Sequence, residues 1–220
     1  MMRLVVGNLN YSSWSMRPWL ALRHAGAEFR THDIGMRVDE QWRDRILAFS
    51  GAGKVPILID GSLSVHESLA ICEYVAERFP EARLWPEDAR LRARGRAISC
   101  EMLSGFSALR GRMNCNLRAR ASERPGPEPA LDADIARVFD IWTASLETSS
   151  GEFLLGDFSI ADCMYFPVAS RFRTYGVQLP ERLQRYSQAL FDLPAVRELE
   201  GIAQTQPAIP LYDEYLSRRD

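Results

Sequence analysis

Across residues 1–80 the apolar positions alternate between strand-like and helix-like patterns. "RLVVGN" (Arg3–Asn8) is a β-branched run and predicts a strand. From about Arg17 to Ala25 the spacing of Leu20, Leu22 and their neighbours predicts a helix stopped by Gly26. "EFRTHDI" (Glu28–Ile34) predicts a second strand, and "DEQWRDRILAFS" (Asp39–Ser50) a second helix through Trp42, Ile46 and Phe49. "VPILID" (Val55–Asp60) and "LSVHE" (Leu63–Glu67) are joined by Asp60-Gly61, a hairpin signal because glycine accepts positive φ. "SLAICEYVAERF" (Ser68–Phe79) then places Leu69, Cys72, Val75 and Phe79 on one helical stripe.

The order β-α-β-α-β-β-α ends in a hairpin, so a mixed four-stranded sheet of thioredoxin-like type is expected for residues 1–80. "PEARLWPED" (Pro80–Asp88), with two prolines and an exposed-looking charge pattern, marks residues 81–87 as a linker. Beyond it, residues 88–220 read as all-helical. Ile98, Met102, Phe106, Leu109 and Met113 recur along what reads as one long helix, and "RPGPEP" (Arg124–Pro129) breaks the chain. Leu131–Glu147 turns Ile135, Val138, Phe139 and Trp142 inward, Ser159–Phe172 forms a further helix, and shorter ones run to about Gln204. The fold class is therefore α/β followed by all-α.

Composition changes little in this picture. Hydrophobic residues at 46% and charged residues at 25% are ordinary globular usage. A net charge of −2 gives no reason to expect nucleic acid or an anionic membrane as partner. No apolar stretch approaches the roughly 20 residues of a bilayer span, and "MMRLVVGNLN" lacks the pattern of a secretory signal. Cys72, Cys100, Cys115 and Cys163 are far apart with no CxxC pair, so neither a metal site nor a dithiol is expected. A reduced, cytoplasmic protein is the expectation.

Four short stretches carry candidate chemistry. In "GKVPIL" (Gly53–Leu58), Pro56 suits the mouth of an edge strand. A trans bond is the ordinary case, whereas a cis bond would present the Val55 N–H and C=O together to an extended peptide. In "HESLAI" (His66–Ile71), Glu67 and Ser68 open a helix, with Ser68 as cap, where free N–H groups favour an anion as readily as they favour stability. Ser159 and Asp162 in "GDFSIAD" form a capping box, with Phe158 as its staple. In "NYSSWSMRPWLAL" (Asn10–Leu22), Ser15 reads as a helix cap and Pro18 as a first-turn residue. Ser12 and Ser13 are left as hydroxyls beside the helix start.

Taken together, in this order and spacing, these stretches resemble the glutathione transferase family over essentially the whole chain. The resemblance is greatest to serine-type, zeta-like bacterial members, through "SSWSMRPWLAL" and "ESLAICEYV". It implies glutathione as co-substrate and a homodimer. It implies that Val55, ahead of Pro56, pairs with the cysteinyl backbone of glutathione. Glu67 and Ser68 hold the γ-glutamyl amine and carboxylate, and Lys54 meets the glycyl carboxylate. Ser12 or Ser13 donates to the sulfur; Ser12 matches the first serine of the zeta pair, while the spacing from Ser13 to Arg17 fits other serine-type members. A serine donates without ionising, so it stabilises the thiolate and is not itself the nucleophile. Zeta members carry a cysteine directly after the pair where this chain has Trp14, a departure that weighs against zeta-type cis-trans isomerisation and leaves glutathione binding untouched. The second substrate, a small hydrophobic or anionic electrophile, is expected between Tyr11, Trp14, Phe106, Leu109, Arg110 and Met113. Arg110, Arg112 and Arg118 argue for an anion, or simply for a solvated face. The rival readings are a non-catalytic glutathione-fold binding protein and a cysteine-based reductant, the latter opposed by the absence of cysteine from the first loop.

Overall fold

Leu4, Val5 and Val6 are all fully buried, so the strand they form must be covered on both faces. In a computed structural model, which describes residues 1–35, 39–122 and 125–217, that strand is β1 (Met2–Val6). It lies between β2 (Phe29–Asp33), to which it is parallel, and β3 (Ile57–Asp60), to which it is antiparallel. With β4 (Leu63–His66) the order is β2-β1-β3-β4, the mixed sheet expected from the terminal hairpin. Val5 and Ile57 pack with Ile34 and with Ile46 of helix α2 (Trp42–Leu47). Leu4, Val6 and Leu58 join the main core with helices α1 (Ser13–His24) and α3 (Ser68–Arg78). α2 is shorter than its apolar spacing suggested, because only Ile46 along it is buried.

After a single 3-10 turn at Pro80–Ala82 come α4 (Ala89–Ser104), α5 (Ser107–Arg112), α6 (Pro129–Thr148), α7 (Ile160–Thr174), α8 (Glu181–Asp192), α9 (Pro194–Thr205) and α10 (Pro210–Asp213). Arg124, the start of the predicted break, lies outside the described residues. The connection at 81–87 is pinned to both halves. Leu84 and Trp85 are buried, the Leu84 carbonyl accepts the Ile160 N–H at 2.9 Å, and Trp85 Nε1 donates to Glu73 at 3.0 Å. Gly95 makes room for this: a Cβ there would lie 2.7 Å from the Trp85 ring.

Two expectations are corrected. Helix α1 starts at Ser13, not near Arg17; its cap is Ser12, whose Oγ accepts the Ser15 N–H at 3.3 Å. Ser15 is therefore inside the helix, and Pro18 lies past the first turn, where its missing N–H leaves the Trp14 carbonyl without a helical donor. The apolar spacing missed this start because α1 packs on both α3 and α7, so its first turns bury polar and apolar residues alike. The single long helix also divides. α4 ends at Ser104, and Gly105 approaches the Glu101 carbonyl so closely that a Cβ would sit 2.9 Å from it. Phe106 then adopts φ 60° before α5.

The helical half is organised around α7, nearly all of whose residues are buried. Trp142 packs edge-on against Tyr165, Phe172 and Tyr186. At the α7 start, the fully buried Asp162 carboxylate accepts the N–H of Leu154 (3.1 Å), the N–H (2.9 Å) and Oγ (2.8 Å) of Ser159, and the Tyr186 hydroxyl (3.1 Å). Asp162→Ala strands these donors and is expected to cost about 3 kcal/mol or more. Burial also raises the Asp162 carboxyl from 3.8 to about 6. Between those values the native protein holds a proton that the unfolded chain has released, so this group lowers stability as pH rises through that window and is flat above it. Urea unfolding across the window should show this part of the slope lost in Asp162→Asn.

Candidate active site

The loop from β1 to α1 is fastened at both ends. The Asn8 carbonyl accepts the N–H of Tyr11 (3.1 Å) and of Ser12 (2.8 Å). Buried Asn10 crosses to the helical half, donating to Asn116 Oδ1 at 2.9 Å and accepting the Leu117 and Arg118 N–H groups at 3.0 Å each. The serines that follow are thus held between the two domains. Ser12 Oγ lies 2.9 Å from Ser15 Oγ, and Ser15 Oγ accepts the Gly7 N–H at 3.2 Å. Ser13 Oγ accepts from Arg171 Nη2 at 3.4 Å.

Tyr11 stands beside them with its hydroxyl committed elsewhere. It accepts from the Ile209 N–H and from Arg118 Nη2, both at 3.2 Å, and donates to Asp213 at 2.8 Å. Burial raises its pKa, so a phenolate is not on offer. These bonds, with Asn114 Nδ2 to the Tyr212 carbonyl at 2.8 Å, seat residues 207–213 against the loop.

Opposite lies the turn into β3. The Val55–Pro56 peptide bond is cis, contrary to the ordinary expectation, and the sheet ladder begins only at Ile57. The N–H and C=O of Val55 therefore stand outside the ladder. Farther along, the cap of α3 is Glu67, not Ser68: its carboxylate accepts the Ser68 N–H (2.6 Å), Ser68 Oγ (2.8 Å) and the Leu69 N–H (3.0 Å). Glu67 achieves this with φ 79° and ψ 135°, a backbone conformation natural to glycine.

These walls enclose one cavity of about 590 Å³ between the domains. Of the residues singled out in the sequence, Tyr11, Ser12, Ser13, Trp14, Lys54, Val55, Pro56, Glu67 and Arg110 line it. Ser68 is fully buried behind Glu67, and Phe106, Leu109 and Met113 are core residues, rotated inward by the break at Gly105. Arg112 instead pairs with Glu128 at 2.9 Å, and Arg118 binds the Ala203 and Gln206 carbonyls, so the three expected arginines do not form one cluster.

A different arginine set surrounds the serines. Arg171 is buried, its Nε donating to the Met113 carbonyl at 2.7 Å and its Nη1 to the Pro167 carbonyl at 3.2 Å. Arg110 donates to the Met102 and Leu103 carbonyls. Trp14 carries Arg17 Cζ at 4.3 Å and Arg110 Cζ at 4.9 Å from its ring centroid. Burial, then repulsion from Arg110 and Arg171, lowers the Arg17 pKa to about 9, with Glu67 opposing. The cavity wall next to the serines is thus cationic. Arg171 was missed in the sequence; the available signal is a cation inside the otherwise uncharged run "YFPVASRF" (Tyr165–Phe172). Cys115 also lines the cavity, but burial pushes its thiol up, which keeps it protonated.

Residues 11–78 match the glutathione S-transferase N-terminal domain and residues 116–190 the C-terminal domain. A probable maleylacetoacetate isomerase 2 from Drosophila melanogaster is 30% identical over 169 residues, covering 76% of this chain and 72% of its own. The chain belongs to the glutathione S-transferase family. A probable maleylacetoacetate isomerase from Caenorhabditis elegans is 28% identical over 83% of this chain and 85% of its own. The holo structure of maleyl pyruvate isomerase, a bacterial zeta-class glutathione S-transferase, shares the fold with a TM-score of 0.72 and 24% identity, over 94% of this chain and all of that one.

As a glutathione S-transferase the chain is a glutathione-dependent enzyme. No metal-binding cluster occurs among the described residues, and no described helix is long and apolar enough to cross a membrane. Tests of the transferase site start with Glu67, whose cap and positive φ act in opposite senses. Glu67→Ala loses the cap and keeps the strained backbone, at an expected cost of about 1–2 kcal/mol. Glu67→Gly loses the same bonds but is at ease at φ 79°. Thermal unfolding should find the glycine variant the more stable of the two; the reverse order would mean that this backbone carries no strain.

Proposed function

We propose that this transferase binds glutathione along the Val55–Pro56 turn and the start of α3, holds its thiol as thiolate against Ser12, and delivers it to a small electrophile that bears a carboxylate. The observation that supports this reading is the meeting, around one cavity, of the Ser12 and Ser13 hydroxyls with the Arg110 and Arg171 guanidinium groups. A tripeptide thiol suits the residues that line the cavity, Val55 for its cysteinyl backbone, Glu67 for the amine and Lys54 for a carboxylate, whereas Ser68 meets the second carboxylate only by giving up its bonds to Glu67. A free thiol ionises near 8.5. A hydroxyl donor, the N-terminus of α1 and three nearby arginines all favour the anion, and each pKa unit they supply is worth about 1.4 kcal/mol.

The thiolate then forms a carbon–sulfur bond to the electrophile, either expelling a leaving group or adding to an activated double bond. If it adds to a cis-alkene, rotation about the new single bond and departure of the same thiolate give the trans isomer and regenerate glutathione. The arginine set favours carboxylate-bearing alkenes for this second course, and the relatives named as maleylacetoacetate isomerases point the same way. A homodimer and a cytoplasmic location belong to the same reading. All four cysteines being free thiols agrees with a reducing compartment.

Retention on immobilised glutathione at neutral pH tests the first layer, and failure to bind would remove the reading. For the acceptor, Arg110→Gln should raise KM for carboxylate-bearing electrophiles about 10- to 100-fold, the value of one charge-assisted hydrogen bond. Uncharged aryl halides should change far less. Equal losses on both classes would place Arg110 outside acceptor recognition.

A further inference from the structure

Ser15 does not line the cavity, yet it governs what Ser12 can offer there. Its Oγ is fully buried, accepts the Gly7 N–H at 3.2 Å and lies 2.9 Å from Ser12 Oγ. Among the described residues, Ser15 Oγ has no other hydrogen-bond neighbour. One proton lies between the two oxygens, and the surroundings decide whose it is. If Ser12 supplied it, the Ser15 proton would be stranded in the core without an acceptor, and Ser12 would have none left to give. If Ser15 supplies it, both oxygens are satisfied. Ser12 Oγ then accepts twice, from Ser15 Oγ at 2.9 Å and from Ser15 N at 3.3 Å, and its own proton can go only toward the cavity it lines.

We infer that Ser15 is a positioning residue: the chain Gly7 N–H to Ser15 Oγ to Ser12 Oγ fixes the Ser12 hydroxyl as a donor aimed at the ligand sulfur. This rests on the reading of Ser12 as the thiol's donor, and deepens it. Each bond polarises the next, so a hydroxyl that already accepts two bonds is a stronger donor than an isolated serine. Gly7 directly follows β1, so the sheet sets where the relay begins. Ser13 has less support: among the described residues its hydroxyl has one partner, Arg171 Nη2 at a long 3.4 Å, where Ser12 Oγ has two. The geometry therefore separates the two adjacent serines. The charged groups around them, Arg17 on α1, Glu67 on α3, Arg110 on α5, Arg171 on α7 and Lys54 in the β3 loop, act on the sulfur through space. None of them hydrogen-bonds Ser12 or Ser15.

The test reads thiolate absorbance of enzyme-bound glutathione against pH, in the full chain. Ser12→Ala should raise the bound thiol's pKa by about one unit, a tenfold loss of thiolate below it. Ser15→Ala should raise it in the same direction with little change in glutathione affinity, and Ser15→Thr, which keeps the hydroxyl, should restore it. In a Ser12→Ala background, Ser15→Ala should shift the pKa no further. That last comparison separates relay from structure: a residue that merely supports the fold would add its effect in either background, and an additive shift would overturn the relay. A Ser15→Ala protein that melts lower but keeps the parent thiol pKa would also overturn it. If Ser12→Ala itself leaves the thiol unchanged, the donor reading and the relay fall together; if only Ser15→Ala is silent, the relay falls alone.

Discussion

Everything in this molecule depends on α1 being buried from two sides. One side packs on the first domain through α3, the other on α7 of the helical domain. A helix so enclosed has no solvent to satisfy its first-turn polar groups, so they must satisfy one another or a ligand. The Ser12–Ser15 contact, the bond from Gly7, and the stacking of Arg17 on Trp14 are local answers to that demand. What remains unanswered on the open side is what a bound thiol can use.

The same enclosure explains the charge distribution. Arg17 and Arg171 are both nearly inaccessible, and such cations persist only with compensation. Arg171 has two backbone carbonyls and the Ser13 oxygen. Arg17 has the indole of Trp14 and the field of Glu67, but its Nε and Nη1 find no partner among the described residues. Placing such groups side by side costs stability, and the return is a cavity wall on which anions are favoured. Conservative change there is not neutral: lysine at position 171 would keep the charge and lose the geometry that reaches two carbonyls and Ser13 at once.

How much of this was legible in the sequence follows from which forces act locally. The strand and helix order of the first domain was readable because β1 and β3 are short apolar runs between turn residues, while α3 buries Ile71, Cys72 and Val75 at helical spacing. The α1 start was not, since both faces are buried and polar residues fall inside the helix without breaking a stripe. The division at Gly105 was hidden because Ile98, Met102, Phe106, Leu109 and Met113 keep a helical rhythm across a kink that only the close approach to Glu101 reveals. That break moved Phe106, Leu109 and Met113 from the expected pocket into the core and brought Leu103 and Asn114 to the wall. Arg171 and Tyr212 reach the cavity through tertiary packing far from the first loop, where no spacing rule applies.

Trp14, the residue that stands where zeta members have a cysteine, has a use independent of catalysis. Its indole sits against two guanidinium groups at the edge of the cavity, so its electronic surroundings are set by charge. An anion that docks beside Arg110 partly cancels the field across that ring, whereas an uncharged ligand of equal size leaves it standing. The enzyme thus contains an optical probe of ligand charge, placed where no label would have to be introduced.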